Sequence, residues 1–203
     1  MKRLVGAVNA IKSTQSRKHK ETLLHEFATM EDFKELMEFM YNPYIKTGIA
    51  KKKLVRSKHS NREKTISLKE ALAHFRENQT GTDDDVYFAW LFINSYEGEE
   101  ERELAVDIVT KNLKIGVTAT TLNKVYGEGF IPMIGCMLGV PYPDNRHKVT
   151  GPFIATEKLD GIRRLLIKEN GVCKMYSRSG IEDEYLVEII EEARYLPDNT
   201  VYD

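Results

Sequence analysis

The dipeptide Asn170-Gly171, set between two short runs of strand-forming residues, is the tightest constraint on what this chain can fold into. Both central residues of a type I′ turn need positive φ, which Asn and Gly adopt at least cost, and the twist of that turn matches the twist of paired strands. Ile162 to Lys168 therefore reads as one strand and Val172 to Arg178 as its antiparallel return, with Glu169 facing Val172. Counting back along both strands sets Arg163 opposite Arg178. Like charges directly opposite destabilise a hairpin unless an anion sits beside them, so the open end is expected to receive phosphate. A β-bulge would shift the register and remove the pairing.

Immediately ahead lies Glu157-Lys158-Leu159-Asp160-Gly161-Ile162-Arg163, entered by an apolar run from Phe153 to Ala155. A lysine is a nucleophile only when neutral, and with an unperturbed pKa of about 10.4 only roughly one in a few thousand is neutral at pH 7. Burial or nearby cations lower that value, and Arg163 and Arg164 supply the cations. Two readings fit the heptapeptide: a nucleophilic lysine beside a phosphate, or a strand ending in a solvated, charged hairpin. The facing arginines favour the first.

Lys158-Leu159-Asp160-Gly161-Ile162-Arg163, followed by Ser177-Arg178-Ser179-Gly180, resembles the first two nucleotidyltransferase motifs of ATP-dependent DNA ligases, a superfamily that also holds RNA ligases and mRNA capping enzymes. In that family the motif lysine attacks the α-phosphate of ATP, releases pyrophosphate and carries AMP as a phosphoramidate. AMP then passes to the 5′-phosphate of a nick, and the neighbouring 3′-hydroxyl seals the strand. The resemblance implies that Lys158 is the adenylated nucleophile, with Arg163 and Arg178 near the ribose, phosphates or nick, and with Asp160 and Gly161 shaping the turn. One departure concerns the residue two before the lysine, often Glu or Gln in these ligases and a contact to the adenine amino group. Here it is Thr156, with Glu157 one place later.

The residues ahead of this element read as helices. Leu23, Leu24 and Phe27 share a face, Thr29 is placed to cap the next helix with Asp32 as partner, and Phe33, Leu36, Met37 and Met40 continue the spacing until Tyr41-Asn42-Pro43-Tyr44 ends it. Ser67 and Glu70 form a capping box ahead of Leu68, Ala71, Leu72 and Phe75. After a break at Thr80-Gly81-Thr82-Asp83, the run Val86, Phe88, Ala89, Trp90, Leu91, Ile93 is too apolar for a surface helix. Trp90 can stack on a base or pack inside; the run favours packing. The acidic stretch Glu97 to Glu103 suits a helix start rather than a metal site. Leu186, Ile189, Ile190 and Ala193 mark a late amphipathic helix closed by Pro197, and Thr200 to Tyr202 starts a strand.

Two stretches carry a nucleic-acid reading. From Lys46 to Lys64 the charge is one-sided, with Lys51, Lys52, Lys53, Arg56, Lys58 and Arg62 against Glu63 alone. Such a segment follows a phosphate backbone or forms a solvated loop. In the second stretch Gly116 is expected to end a helix and Thr118 to cap the next, with Lys114 and Lys124 nearby as a phosphate seat; an ordinary helix-turn-helix is the alternative. Together with Ile131-Pro132 and Met137-Leu138, this stretch resembles the end of the helical DNA-binding domain of these ligases. Bacteriophage enzymes with a compact helical N-terminal domain are the most similar, which disfavours a capping enzyme or an RNA ligase.

The expected architecture is multi-domain. An all-α DNA-binding domain over residues 1–140 is followed by a linker or crossing strand over 141–150. Residues 151–203 then form the start of an α+β adenylation domain with an antiparallel sheet. Asp203 falls where the aspartate of the family's next motif, Asp-Gly-Glu, would stand. The later metal-binding carboxylate, the triphosphate-gripping lysines and the OB domain are not in this sequence, so Mg²⁺ ligands are expected elsewhere and no metal set is read here. A split or interrupted gene, or a truncated reading frame, would give this. The partners implied are ATP, nicked duplex DNA and the remaining ligase polypeptide, which an exposed apolar face would need as cover. A non-catalytic DNA-binding module is the rival. Near-neutral charge decides nothing about nucleic acid, no apolar run is long enough to span a membrane, and Cys136 and Cys173 lack ligand spacing. A monomer in a reducing cytoplasm, the host's if phage-encoded, is the expectation.

Overall fold

The computed structural model describes every residue except 58–63, 134–138, 156, 158–159 and 179. Lys58, Arg62, Cys136, Met137 and Leu138 therefore lie outside the described residues, as do Thr156, Lys158, Leu159 and Ser179. The chain divides into two compact units, Met1–Pro132 and Met133–Asp203.

The first unit is helical. Helices α1 (Lys2–Ser13), α2 (Arg17–Phe27) and α3 (Glu31–Tyr41) bury the faces marked by Leu4, Val8 and Ile11, by Leu24, and by Phe33, Leu36, Met37 and Met40. Ser16 caps α2, its side chain accepting the His19 N–H. Thr29 does not cap α3. Its hydroxyl donates back to the Glu26 carbonyl at 3.2 Å, because the chain from α2 keeps turning through Met30, which becomes the N-cap without a side-chain bond.

A short basic helix, α4 (Lys51–Arg56), precedes α5 (Leu68–Glu77) and α6 (Asp83–Asn94). The capping box of Ser67 and Glu70 forms, and Thr82 with Asp85 makes a second one ahead of α6. Along α6, Val86, Ala89, Phe92 and Ile93 are buried, while Trp90 is half-buried and donates its indole N–H to the Leu54 carbonyl at 3.3 Å. Helix α7 (Glu99–Val109) opens on three glutamates, which suit the positive end of its dipole, and α8 (Ala119–Tyr126) follows with Thr118 as N-cap. Gly116 does not end α7: the helix stops at Val109, Lys111 takes the left-handed position at φ 47°, and Gly116 (φ 64°) shapes the loop before α8. Phe33, Phe39, Phe75 and Phe92 are fully enclosed in one core drawn from all these helices.

In the second unit the stretch after Pro141 forms neither strand nor extended linker. Tyr142–Asn145 makes one helical turn, α9, with Pro at its start, and Arg146–Lys148 a 3₁₀ turn. Strands β1 (Arg164–Glu169) and β2 (Val172–Ser177) pair antiparallel through Asn170 (φ 51°) and Gly171 (φ 77°), a type I′ pattern. After α10 (Val187–Glu192) and a 3₁₀ turn, β3 (Thr200–Tyr202) joins the other side of β1, giving the order β2-β1-β3. Leu166, Met175 and Ala193 form a small core against Leu186, Ile190 and Tyr202. Ile189, expected inside, is 53% exposed: Leu186, Ile190 and Ala193 take the inner stripe at spacings of four and three, and Ile189 lies one residue off it. Lys168 fastens the helix to the sheet by donating to the carbonyls of Arg194 at 2.6 Å and Leu196 at 2.8 Å.

Candidate functional site

The hairpin register follows the turn chemistry without a bulge, from Glu169↔Val172 at the turn to Arg164↔Ser177 at the open end. There the ladder stops, one residue short of the expected pairing of Arg163 with Arg178. The cause is a tight reversal: Ser177 donates its N–H to the Ile181 carbonyl at 2.7 Å and Gly180 donates to the Ser177 carbonyl at 2.9 Å. Arg178 therefore stands exposed on a turn rather than in a strand.

Two arginines at this end are held by carboxylates of the same unit. Arg163 donates from Nε to Asp203 Oδ1 at 2.6 Å and from Nη2 to Asp203 Oδ2, a bidentate fork that brings β3 to the mouth of the hairpin. Arg164 donates to Asp183 at 2.7 Å. Hydrogen bonding from Arg163 holds the Asp203 carboxyl below its ordinary range, and Arg164, with the Tyr185 N–H, does the same for Asp183. The anion expected beside Arg163 is thus, in this structure, a carboxylate. Glu157, Asp160 and Gly161 are exposed just ahead of β1. Thr156 and Lys158, the adenine-contact position and the nucleophile implied by the family resemblance, lie outside the described residues.

The expected DNA-facing residues fall in two places of the first unit. On α4, Lys52 is exposed and Lys53 is committed, with Nζ donating to the Gly81 carbonyl at 2.7 Å and pairing with Asp83 at 3.1 Å. Lys51 lines a concavity of about 690 Å³ shared with Lys12, Glu99, Glu100, Glu103 and Asp107. Burial raises the Asp107 carboxyl, an effect that Lys12 and Lys51 oppose. Around α8, Lys114 and Thr118 are exposed, the Thr118 hydroxyl accepts the Thr121 N–H at 3.2 Å, and Lys124 pairs with Glu21 at 2.6 Å.

Sequence reasoning missed Arg17, Lys20 and Glu21. Arg17 and Glu21 are one helical turn apart, a local signal for an ion pair, but their link to α8 is not local. Lys20 is buried and donates to the Ile115 carbonyl at 2.6 Å, passing the spot where a Cβ on Gly116 would stand 2.4 Å from its Nζ. Among the described residues there is no group of three or more His, Cys, Asp or Glu placed to hold a metal ion, and no helix long and apolar enough to cross a membrane.

This geometry, a helical unit followed by a small antiparallel sheet, recurs in solved structures. A chain named "Pmar-Lig_PreS3" matches with a TM-score of 0.63 and 21% identity, over 94% of this chain and 45% of its own length. A second, named "Pmar-Lig_Pre.", matches with a TM-score of 0.64 and 22% identity over the same 94% and 45%. The chain therefore spans less than half the length of these structural relatives, and at this identity the likeness defines the fold alone. No protein-family model matches the sequence, and no curated protein matches it significantly.

Proposed function

We propose that this chain is the N-terminal portion of an ATP-dependent DNA ligase, with a helical DNA-binding unit and the front of an adenylation domain. Lys158 is the nucleophile that carries AMP, Arg163 and Arg178 address the nucleotide phosphates or the nick, and nicked duplex DNA is the acceptor. The observation that carries this reading is the Lys-x-Asp-Gly-x-Arg element of Lys158 to Arg163 running straight into a hairpin whose open end gathers Arg163 and Arg164. The fold shared with two chains whose names contain "Lig", read here as ligase, supports it. ATP is the co-substrate and Mg²⁺ the cofactor that the reading requires; the arginines at the hairpin end suit a polyphosphate, and the described residues offer no group of three or more His, Cys, Asp or Glu for the metal.

The test is the intact mass of the purified chain after incubation with ATP and Mg²⁺, followed by peptide mapping. An AMP adduct on Lys158 is expected, and Lys158→Ala abolishes it while leaving the fold intact. Label retained by the Lys158→Ala protein overturns the assignment. The second reading, a DNA-binding module without adenylation, draws on the first unit having a closed core of its own. Salt-sensitive binding to a nicked duplex, with no adduct even when the remaining ligase polypeptide is supplied, favours it. Nicked RNA tested beside nicked DNA separates an RNA ligase.

A further inference from the structure

Helices α2 and α8 are fastened into one element by side chains far apart in sequence. Lys20 donates to the carbonyls of Ile115 at 2.6 Å and Gly116 at 3.4 Å, which fixes the loop entering α8. Tyr126, at the other end of α8, donates its hydroxyl to the Leu24 carbonyl at 3.0 Å. Between these two anchors, Glu21 accepts from Lys124 of α8 at 2.6 Å and pairs with Arg17 of its own helix at 3.3 Å.

Exposure within this trio is unequal. The Glu21 side chain is 17% exposed, whereas Arg17 is 73% and Lys124 62% exposed. One inset carboxylate therefore steers two cations from different helices whose outer surfaces face solvent. An ion pair whose cation is largely exposed adds little to stability, and Lys20 and Tyr126 already join these helices at either end. Two exposed cations oriented by one carboxylate, with less side-chain entropy left to lose, suit a polyanionic ligand.

We propose that Arg17 and Lys124 bind phosphates of a DNA backbone, and that Glu21 is a positioning residue that orients both while restraining the affinity. This rests on the DNA-binding reading above and adds to it Arg17 and a carboxylate that tunes the contact. Neutralising one phosphate releases condensed counterions and contributes about 0.9 to the slope of log K against log salt. Each cation is thus separately countable.

The experiment is fluorescence anisotropy of the 203-residue chain with a labelled nicked DNA duplex across a salt series. Arg17→Ala and Lys124→Ala are each expected to weaken binding several-fold at moderate salt and to reduce the slope by about 0.9. Lys69→Ala on α5 should leave the slope unchanged. Glu21→Gln keeps an oxygen that accepts hydrogen bonds but removes the opposing charge, and binding should tighten more than for Glu77→Gln, which removes an exposed carboxylate on α5; equal tightening by the two would mark a general charge effect and overturn the role of Glu21. Binding by the parent chain with slopes indifferent to Arg17→Ala and Lys124→Ala, or lowered equally by Lys69→Ala, overturns the inference and leaves the DNA reading standing. No binding at low salt by the parent chain overturns both.

Discussion

Lys111 shows how burial changes a side chain that sequence marks only as basic. It points its amine at the carbonyls of Asn42 at 2.7 Å and Ile45 at 2.6 Å, above the Phe39 ring. Desolvation pulls its pKa from 10.5 down to about 8. Between those values the unfolded chain holds the proton more firmly than the folded one, so stability rises with pH through that window. A neutral amine keeps two N–H donors, so both carbonyl contacts survive the loss of the proton. Burial acts oppositely on Tyr41, Tyr96 and Tyr126, which are pushed up to about 12, so above pH 10 they ionise first in the unfolded chain and stability falls. Thermal unfolding followed from pH 7 to 11 should therefore show a midpoint that rises, peaks near pH 10 and declines, and Lys111→Met should remove the rise.

At the level of elements, the caps and the turn were legible because their signals lie within a few residues. Ser67 and Glu70 spell a capping box, and Asn170-Gly171 fixes a hairpin register that the structure reproduces from Glu169↔Val172 as far as Arg164↔Ser177. Ser67→Ala should cost about 1 kcal/mol in urea unfolding. Asp85→Ala should cost more, because Asp85 is buried and accepts from Thr80, from both the hydroxyl and N–H of Thr82, and from His74. Burial alone raises its carboxyl, but those bonds outweigh it and the net shift is downward from 3.8, so the contribution is lost as pH falls below that value. Gly171→Ala, at φ 77°, should weaken the hairpin by about 1 kcal/mol or more. What was not legible is what closes over distance. Nothing near Arg163 announces Asp203, nothing near Lys124 announces Glu21, and the reversal at Ser177 that parts Arg163 from Arg178 depends on bonds beyond the strand. Thr29 and Gly116 carried correct chemistry at positions that the packing of neighbouring turns did not use.

For the molecule as a whole, the two units differ in how much they enclose. The first buries four phenylalanines in a continuous core, whereas the second encloses Leu166, Met175 and Ala193 and leaves Ile162 80% and Val201 63% exposed. Phe75→Ala should destabilise the first unit by about 3–5 kcal/mol. Amide hydrogen exchange should be slow in α3, α5 and α6 and faster in β3, whose apolar cover is thin. Equal protection in both would contradict this account.

The central place of β1 sets an order of assembly. Its pairing with β2 closes a two-residue turn, an event on the order of microseconds. Its pairing with β3 closes a far longer loop that contains α10, and so is expected to follow. The arginine fork on Asp203 is therefore expected among the last contacts of this unit to form and among the first to open, an order that exchange-resolved refolding would check. A probe on that pair would report the completion of the sheet, and the accessibility of Arg163 would follow the fraying of a single short strand.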